Sequence, residues 1–262
     1  MKKNLKVISI ITFNVLLVSL IRQAPYKSAP FKLFMHVLTM VLILVMIFAW
    51  AIHIQQYIVQ IQLRRYMGFI SMLMMLWMFL RFTRFYLFDE QLFISRHLWY
   101  LYYIPMIYIP LNSFLFSLYF GRSITWSAPK HYKILNLISL FFLMLVLFND
   151  KLQAIFIFED INDFNNYQYG PMYYLMIIYL IVLIFSMLIN LVHKSFNHRK
   201  NNLVAIPFIV LAFGLMYVYI YIFMPQFVFL KYFDLTFMMV YINIIFLESV
   251  IMSGIITVNT DC

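Results

Sequence analysis

Glycine is scarce, with five in 262 residues. That leaves no room for a phosphate-cradling loop or a dinucleotide fingerprint, each of which needs several glycines in a short span. Cysteine occurs once, at Cys262, so no internal disulfide is possible. Cysteine and histidine do not cluster at metal-ligand spacing either, and neither a metal nor a cofactor is expected. The six histidines, His36, His53, His97, His131, His193 and His198, are scattered. No Ser/His/Asp set or carboxylate pair converges by spacing, so no catalytic constellation is legible. Charge is the third shortage: charged residues make up 11% of the chain, against about 25% in soluble domains.

Apolar side chains fill the space. The chain is 65% hydrophobic and 20% aromatic, with a mean hydropathy of +0.91. Water is a poor solvent for such a surface. A bilayer-crossing helix needs about 20 mostly apolar residues, and eight such segments lie near 5–21, 32–53, 67–88, 98–120, 132–149, 172–192, 203–224 and 235–256. The expected fold is an all-α polytopic membrane protein, a bundle of seven helices plus one at the N-terminus. Lys2, Lys3 and Lys6 precede the first apolar stretch as in a signal peptide. The following Arg22 and Gln23-Ala24-Pro25 offer no clean small-x-small cleavage site, so residues 1–30 read as a retained, signal-anchor-like helix with its loop. Residues 31–256 read as the seven-helix domain and 257–262 as a short tail. No internal repeat is visible, and no polar stretch reaches the roughly 50 residues of a soluble domain.

Lys and Arg favour cytoplasmic loops. With the N-terminus inside, the inner side holds eleven: Lys2, Lys3, Lys6, Arg64, Arg65, Arg122, Lys130, Lys133, Lys194, Arg199 and Lys200. The outer side holds eight: Arg22, Lys27, Lys32, Arg81, Arg84, Arg96, Lys151 and Lys231. The second half is clearer, because loops 121–131 and 193–202 carry two and three positive charges while 150–171 and 225–234 carry one each. Both termini are therefore expected in the cytoplasm. Seven of the nine acids, Asp89, Glu90, Asp150, Glu159, Asp160, Asp163 and Asp234, then face outward. Inner loops facing anionic lipid account for the net charge of +10 without nucleic acid. Abundant Ile, Phe, Tyr, Asn and Lys beside few Gly and Ala suggest an AT-rich bacterial genome, hence a bacterial plasma membrane.

The longest polar interruption is residues 149–171. In it, "AIFIFED" has the β-branched and aromatic make-up of a strand, "IND" of a turn and "FNNYQYG" of a returning strand, giving an outer hairpin or else a plain acidic loop. Pro105 and Pro110 interrupt the fourth span. Each removes an N–H, so a kink is expected there, serving a cavity, signal transmission or packing alone.

Arg81 and Arg84 lie three apart on one face of the third span. With Arg96 they are candidates to hold an anionic ligand, to pair with outer acids such as Asp89, Asp150 or Asp160, or to snorkel to headgroups. Asn149 and Asp150 close the fifth span, where such a pair bonds backbone groups or a ligand. Tyr167, Tyr169, Tyr173 and Tyr174 belong either to an interfacial aromatic belt or to the roof of a pocket. Glu248 lies about 20 Å into the last span. An ionisable group at that depth is costly and must be neutral, hydrogen-bonded or paired, with Asn243 a polar companion at a poor spacing of five.

Four phrases also carry a resemblance. They are "RHLWYLYYIPMIYIPLNSFLFSLYFGR" (96–122), "LFNDKLQAIFIF" (147–158), "YQYGPMYYLMIIYLIV" (167–182) and "LESVIMSGIITVNTD" (247–261). In this order, over about 165 residues, they resemble the N-terminal seven-transmembrane sensor region of bacterial histidine kinases. The first three spans match only in number and placement. The resemblance implies that an envelope signal or small ligand perturbs the bundle, and that the final helix carries the change to a cytoplasmic phosphotransfer segment. After Ile256 only "TVNTDC" follows, and these 262 residues hold no phosphoacceptor or nucleotide-binding segment. Catalysis by this chain is not expected. The leading expectation is a sensor or signal-input domain that works with a separate cytoplasmic kinase or as a homodimer, or that belongs to a truncated gene product. The other is a small transporter or membrane enzyme using Glu248 as its proton-coupling carboxylate, although inverted repeats and matched broken helices are missing.

Overall fold

In a computed structural model the structure describes residues 2–23, 28–88, 91–123, 125–160, 166–197, 205–224, 235–254 and 256. Asp89, Glu90, Asp163, Asp234, His198, Arg199, Lys200, Lys27, Lys231 and the tail 257–262 lie outside the described residues. The described chain is mostly helical and carries one small hairpin. Five helical segments are long and apolar enough to cross a bilayer: Pro30–Tyr57, Ile61–Leu87, Lys130–Leu147, Pro171–Lys194 and Leu235–Met252. Shorter apolar helices occupy Val7–Arg22 and Ala205–Tyr221. Large apolar side chains stand exposed along them, among them Phe13, Phe69, Leu137 and Ile189. Apolar faces of that extent mark a surface built for lipid, and together these features make the chain an all-α, multi-pass membrane protein.

The chain folds as two compact units. The first joins Met1–Gln60 to His193–Cys262, and the second is Ile61–Val192.

In the first unit, α1 (Lys2–Gln23) packs against α2 (Ala29–Tyr57) and against α10 (Leu235–Met252), and α9 (Ala205–Phe223) packs against α10. The N-terminal segment is thus built into its unit through two helices. In the candidate span of α10, 56% of the residues are buried, against 22–33% in the other four spans. A helix that is apolar all round belongs in such a position. Gly214 lets α9 approach, because a Cβ there would stand 2.9 Å from Cγ2 of Ile242. A polar thread crosses the same unit: the Tyr241 hydroxyl donates to Asn14 Oδ1 at 2.8 Å, and Asn14 Nδ2 donates to the Leu42 carbonyl at 3.4 Å. At the end of α10, Gly254 adopts φ 75°, the left-handed conformation by which glycine stops a helix.

In the second unit, α3 (Ile61–Phe82) packs along α5 (Tyr103–Ser117), and α6 (Lys133–Leu147) packs against α5 and α4 (Leu92–Leu101). The fourth span expected at 98–120 is two helices, not one. A proline ring clashes with the carbonyl four residues back. For Pro105 that is Leu101, the last residue of α4, and Pro105 itself sits in the first turn of α5, where its missing N–H is tolerated. Pro110 is accommodated inside α5. A second irregularity continues α3 as a π-helical turn over Thr83–Leu87, whose Thr83 hydroxyl donates to the Phe79 carbonyl at 2.9 Å.

After α6, a single turn, α7 (Asn149–Leu152), ends at Gln153 with φ 45°. The chain then enters β1 (Phe156–Phe158), which pairs antiparallel with β2 (Tyr167–Tyr169) in the register Phe156 with Tyr169 and Phe158 with Tyr167. The hairpin is formed, and residues 161–165 of its loop lie outside the described residues. It leads directly into α8 (Pro171–Asn197), whose first residue is a proline, as a helix N-terminus favours. Below it lies a core of Tyr100, Tyr103, Ile107, Phe142, Val146, Phe156 and Met176.

Gly170 sits where two backbones touch. A Cβ there would stand 2.3 Å from the Ala154 carbonyl oxygen. Rigid backbone cannot yield as the Ile242 methyl can. In detergent, Gly170→Ala should therefore lower the thermal unfolding temperature, losing more than about 2 kcal/mol. Gly214→Ala should cost less, because overpacking of about 1–3 kcal/mol is offset by about 1 kcal/mol of helix propensity. Adding Ile242→Ala should restore the second variant and leave the first unchanged.

Candidate functional site

One end of the second unit gathers most of the polar residues singled out in the sequence. Its base is Asn149. This side chain is fully buried, and its amide substitutes for a missing strand: Nδ2 donates to the Phe156 carbonyl at 2.8 Å, while Oδ1 accepts from the N–H groups of Ile155 and Phe156 at 3.0 and 2.9 Å. Buried backbone polar groups need internal partners, and Asn149 supplies them where the chain leaves α7. Its amide faces the backbone of β1.

Asp150 points the other way, toward α4. Its Oδ2 accepts from Arg96 Nη2 at 2.9 Å and its Oδ1 accepts from the Tyr100 hydroxyl at 2.6 Å. Arg96 and Tyr100 are one turn apart, so both reach the same carboxylate from one helix face. The Arg96 side chain is 6% exposed and that of Asp150 is 26% exposed. A charge-assisted pair this dry is stronger than a surface pair, and removing one partner strands the other. Two consequences for the expected anion site follow. Arg96 is committed to Asp150, and Asp150 is an acceptor already serving two donors. His97 stands beside them, its Nε2 3.8 Å from Asp150 Oδ2.

Arg81 and Arg84 do converge. Their guanidinium carbons lie 4.6 and 4.9 Å from the centre of the Phe85 ring. Arg84 is held further, with Nε donating to Ser95 Oγ on α4 at 3.2 Å and its guanidinium 5.7 Å from the Tyr102 ring. The π-helical turn thus ties its arginine to α4 next to Arg96.

An aromatic layer joins this polar cluster to the hairpin. Trp99 packs on Phe156 with centroids 4.4 Å apart and on Tyr167 at 5.1 Å, and Tyr169 stacks on Tyr173 at 4.1 Å. Tyr167 and Tyr169 are therefore structural members of a packed layer, with Tyr169 the more exposed. Burial, and next to it the Tyr169 hydroxyl, push the Tyr167 phenol up, while the positive charge of Arg84 acts in the opposite sense.

Glu248 belongs to the first unit. It is fully buried, and its Oε2 accepts from the Trp50 indole N–H of α2 at 3.2 Å. Among the described residues its Oε1 has no hydrogen-bond partner. Asn243 is not its companion, since its Nδ2 donates to the Met239 carbonyl on its own helix. Pro105 and Pro110 lie in the second unit and serve the break and continuation of α4 and α5.

Sequence reasoning missed Tyr100, His97, Ser95 and Trp50. The first three sit on α4: Tyr100 lies one turn from Arg96 on the same face, while Ser95 and His97 are its neighbours along the chain. Trp50 is 198 positions from its partner and carried no local signal. Among the described residues no group of three or more His, Cys, Asp or Glu could hold a metal ion. Compared with protein-family models, curated proteins and solved structures, the chain matches none of them.

The clamp and the ion pair make separable predictions. Asn149→Asp keeps the shape but sets an acceptor against the Phe156 carbonyl, and should cost about 1–3 kcal/mol and expose the 159–166 segment to limited proteolysis. Arg96→Met should destabilise by about 2–4 kcal/mol, and most of that loss should vanish in the Arg96→Met/Asp150→Asn double variant, measured by a double-mutant cycle of unfolding.

Proposed function

We propose that this protein is a membrane-embedded signal-input module of a bacterial plasma membrane, built from eight spans with both termini in the cytoplasm and lacking catalytic output of its own. The observation that carries this reading is the assembly around Asp150. It unites Arg96 and Tyr100 of α4, the turn after α6 and, through Asn149, the hairpin that opens α8. Three of the four phrases that resemble histidine-kinase sensor regions meet in this cluster: 96–122, 147–158 and 167–182. An input device needs a bistable element biased by what it senses. A buried ion pair at the membrane surface, attached to a small hairpin, is suited to that role because it is either complete or broken. Binding of an anion to Arg96, or a change that loosens the hairpin, would exchange one set of partners for another. The two-helix path of α4 and α5, hinged at Tyr102 before Pro105, would pass the change along the unit. A separate cytoplasmic kinase or a second copy of the chain would receive it.

The test is a chimera in which this region drives a histidine-kinase output. Arg96→Ala and Asp150→Ala should each shift basal output by at least threefold, in the same direction, because both break one pair. If both chimeras signalled like the parent, the input reading would fail.

Glu248 supports a second reading, a proton-coupled transporter. Its buried carboxyl oxygen, without a partner among the described residues, is a chemically suitable proton acceptor inside a span. In liposomes carrying the purified protein, a proton gradient would collapse faster than in empty vesicles, and Glu248→Gln would abolish the difference. A sensor gives no such flux.

A further inference from the structure

We infer that His97 is a proton-binding site that, on gaining its proton, closes onto Asp150 and draws α4 against α7, so that the proton is one input to the module proposed above. The binding site follows from geometry; its role as an input rests on that functional reading.

The tautomer is dictated locally. His97 Nδ1 lies 2.8 Å from the Phe93 carbonyl oxygen. A carbonyl only accepts, so Nδ1 carries the hydrogen. In the neutral ring Nε2 is then an acceptor, and it faces another acceptor, Asp150 Oδ2, at 3.8 Å. That is too long for a hydrogen bond, and two lone pairs give no reason to shorten it. The ring cannot turn away easily, since it packs on Phe93 with centroids 4.3 Å apart and meets the edge of Tyr100 at 5.9 Å. A proton on Nε2 changes the sign of the interaction. Both nitrogens become donors, and Nε2–H meets a carboxylate oxygen in a charge-assisted bond of about 2.8 Å. A carboxylate has about four acceptor positions, so Asp150 has room for this donor beside Arg96 and Tyr100. The His97 side chain is 44% exposed, which leaves the proton a path from solvent.

The surrounding charges oppose one another. On its own helix Arg96 shares Oδ2 and disfavours a second cation. Lys151 follows Asp150 on α7 and is exposed. From α5 the ionisable neighbour is the Tyr103 phenol, and α6 carries no charged residue from Ile134 to Leu147. Asp150 is the acid beside the ring, 3.8 Å from Nε2. Imidazole ordinarily changes charge between about pH 5 and 8, the range in which the outer medium of a cell varies. The linkage has one sign: the added bond exists where the ring is charged, so it stabilises the fold at low pH and is lost as pH rises.

The test uses the full chain in lipid nanodiscs, labelled with nitrogen-15 in its histidines, with His97 assigned by its loss in His97→Gln. The expected result at pH 8.5 is an Nδ1–H tautomer, and on acidification a titration whose midpoint falls by about one pH unit in Asp150→Asn and rises in Arg96→Gln. Because these two substitutions also break the buried pair, thermal unfolding of the parent and His97→Gln supplies an independent arm. The parent should unfold at a higher temperature than His97→Gln at pH 5.5, and the difference should disappear at pH 8.5. An Nε2–H tautomer at high pH, a midpoint indifferent to Asp150, or an advantage that does not vary with pH overturns the proton site. The chimeric kinase then separates the two levels. A titrating His97 with output unchanged between pH 8 and 5.5 keeps the site and defeats its role as input, whereas output that follows pH in the parent but not in His97→Gln supports both.

Discussion

Hydrocarbon offers a backbone no hydrogen bonds, and this constraint orders the whole structure. Wherever the chain stays helical the demand is met from within. Each departure from the helix requires a named substitute. At the break between α4 and α5, Pro105 has no N–H to satisfy. At the turn after α7, Asn149 provides three hydrogen bonds to the backbone of β1. Where the hairpin returns, Gly170 lets its N–H reach the Ile155 carbonyl at 2.8 Å by carrying no side chain. The irregular segment survives because these residues replace the water that a soluble loop would use.

The same scarcity of water sorts the charged groups. Asp150 receives two strong donors, and its site lies at the end of a unit where solvent still reaches a quarter of the side chain. Glu248 receives one indole N–H and no solvent. A carboxylate with several donors is stabilised in its charged form, whereas a deeply buried one with a single neutral donor is costly in that form. The two acids therefore stand in chemically unlike surroundings.

Much of the architecture was legible. Apolar length located the helices, and β-branched and aromatic alternation located both strands of the hairpin between Asn149 and Gly170. The interruption at Pro105 was legible as a kink, and the structure places it at the single residue Tyr102, whose backbone stays in the right-handed helical region. Site residues were only half legible. Arg96 and Asp150 were each singled out, and their pairing stood as one alternative among an anionic ligand and other acids, since 54 positions separate them and nothing local selects Asp150 over Asp89 or Asp160. Tyr100 and His97 were hidden among aromatic and scattered histidine residues.

The sequence by itself determined what acts at short range: the apolar spans, the strand-forming stretches of the hairpin and the proline interruption. These follow from composition and from spacings of a few residues, which physical chemistry converts directly into local conformation. Tertiary structure alone decided which polar groups meet. The bonds of Trp50 to Glu248, Tyr241 to Asn14 and Arg96 to Asp150 span 198, 227 and 54 positions. Each exists because tertiary packing brings together two side chains that are distant in the chain.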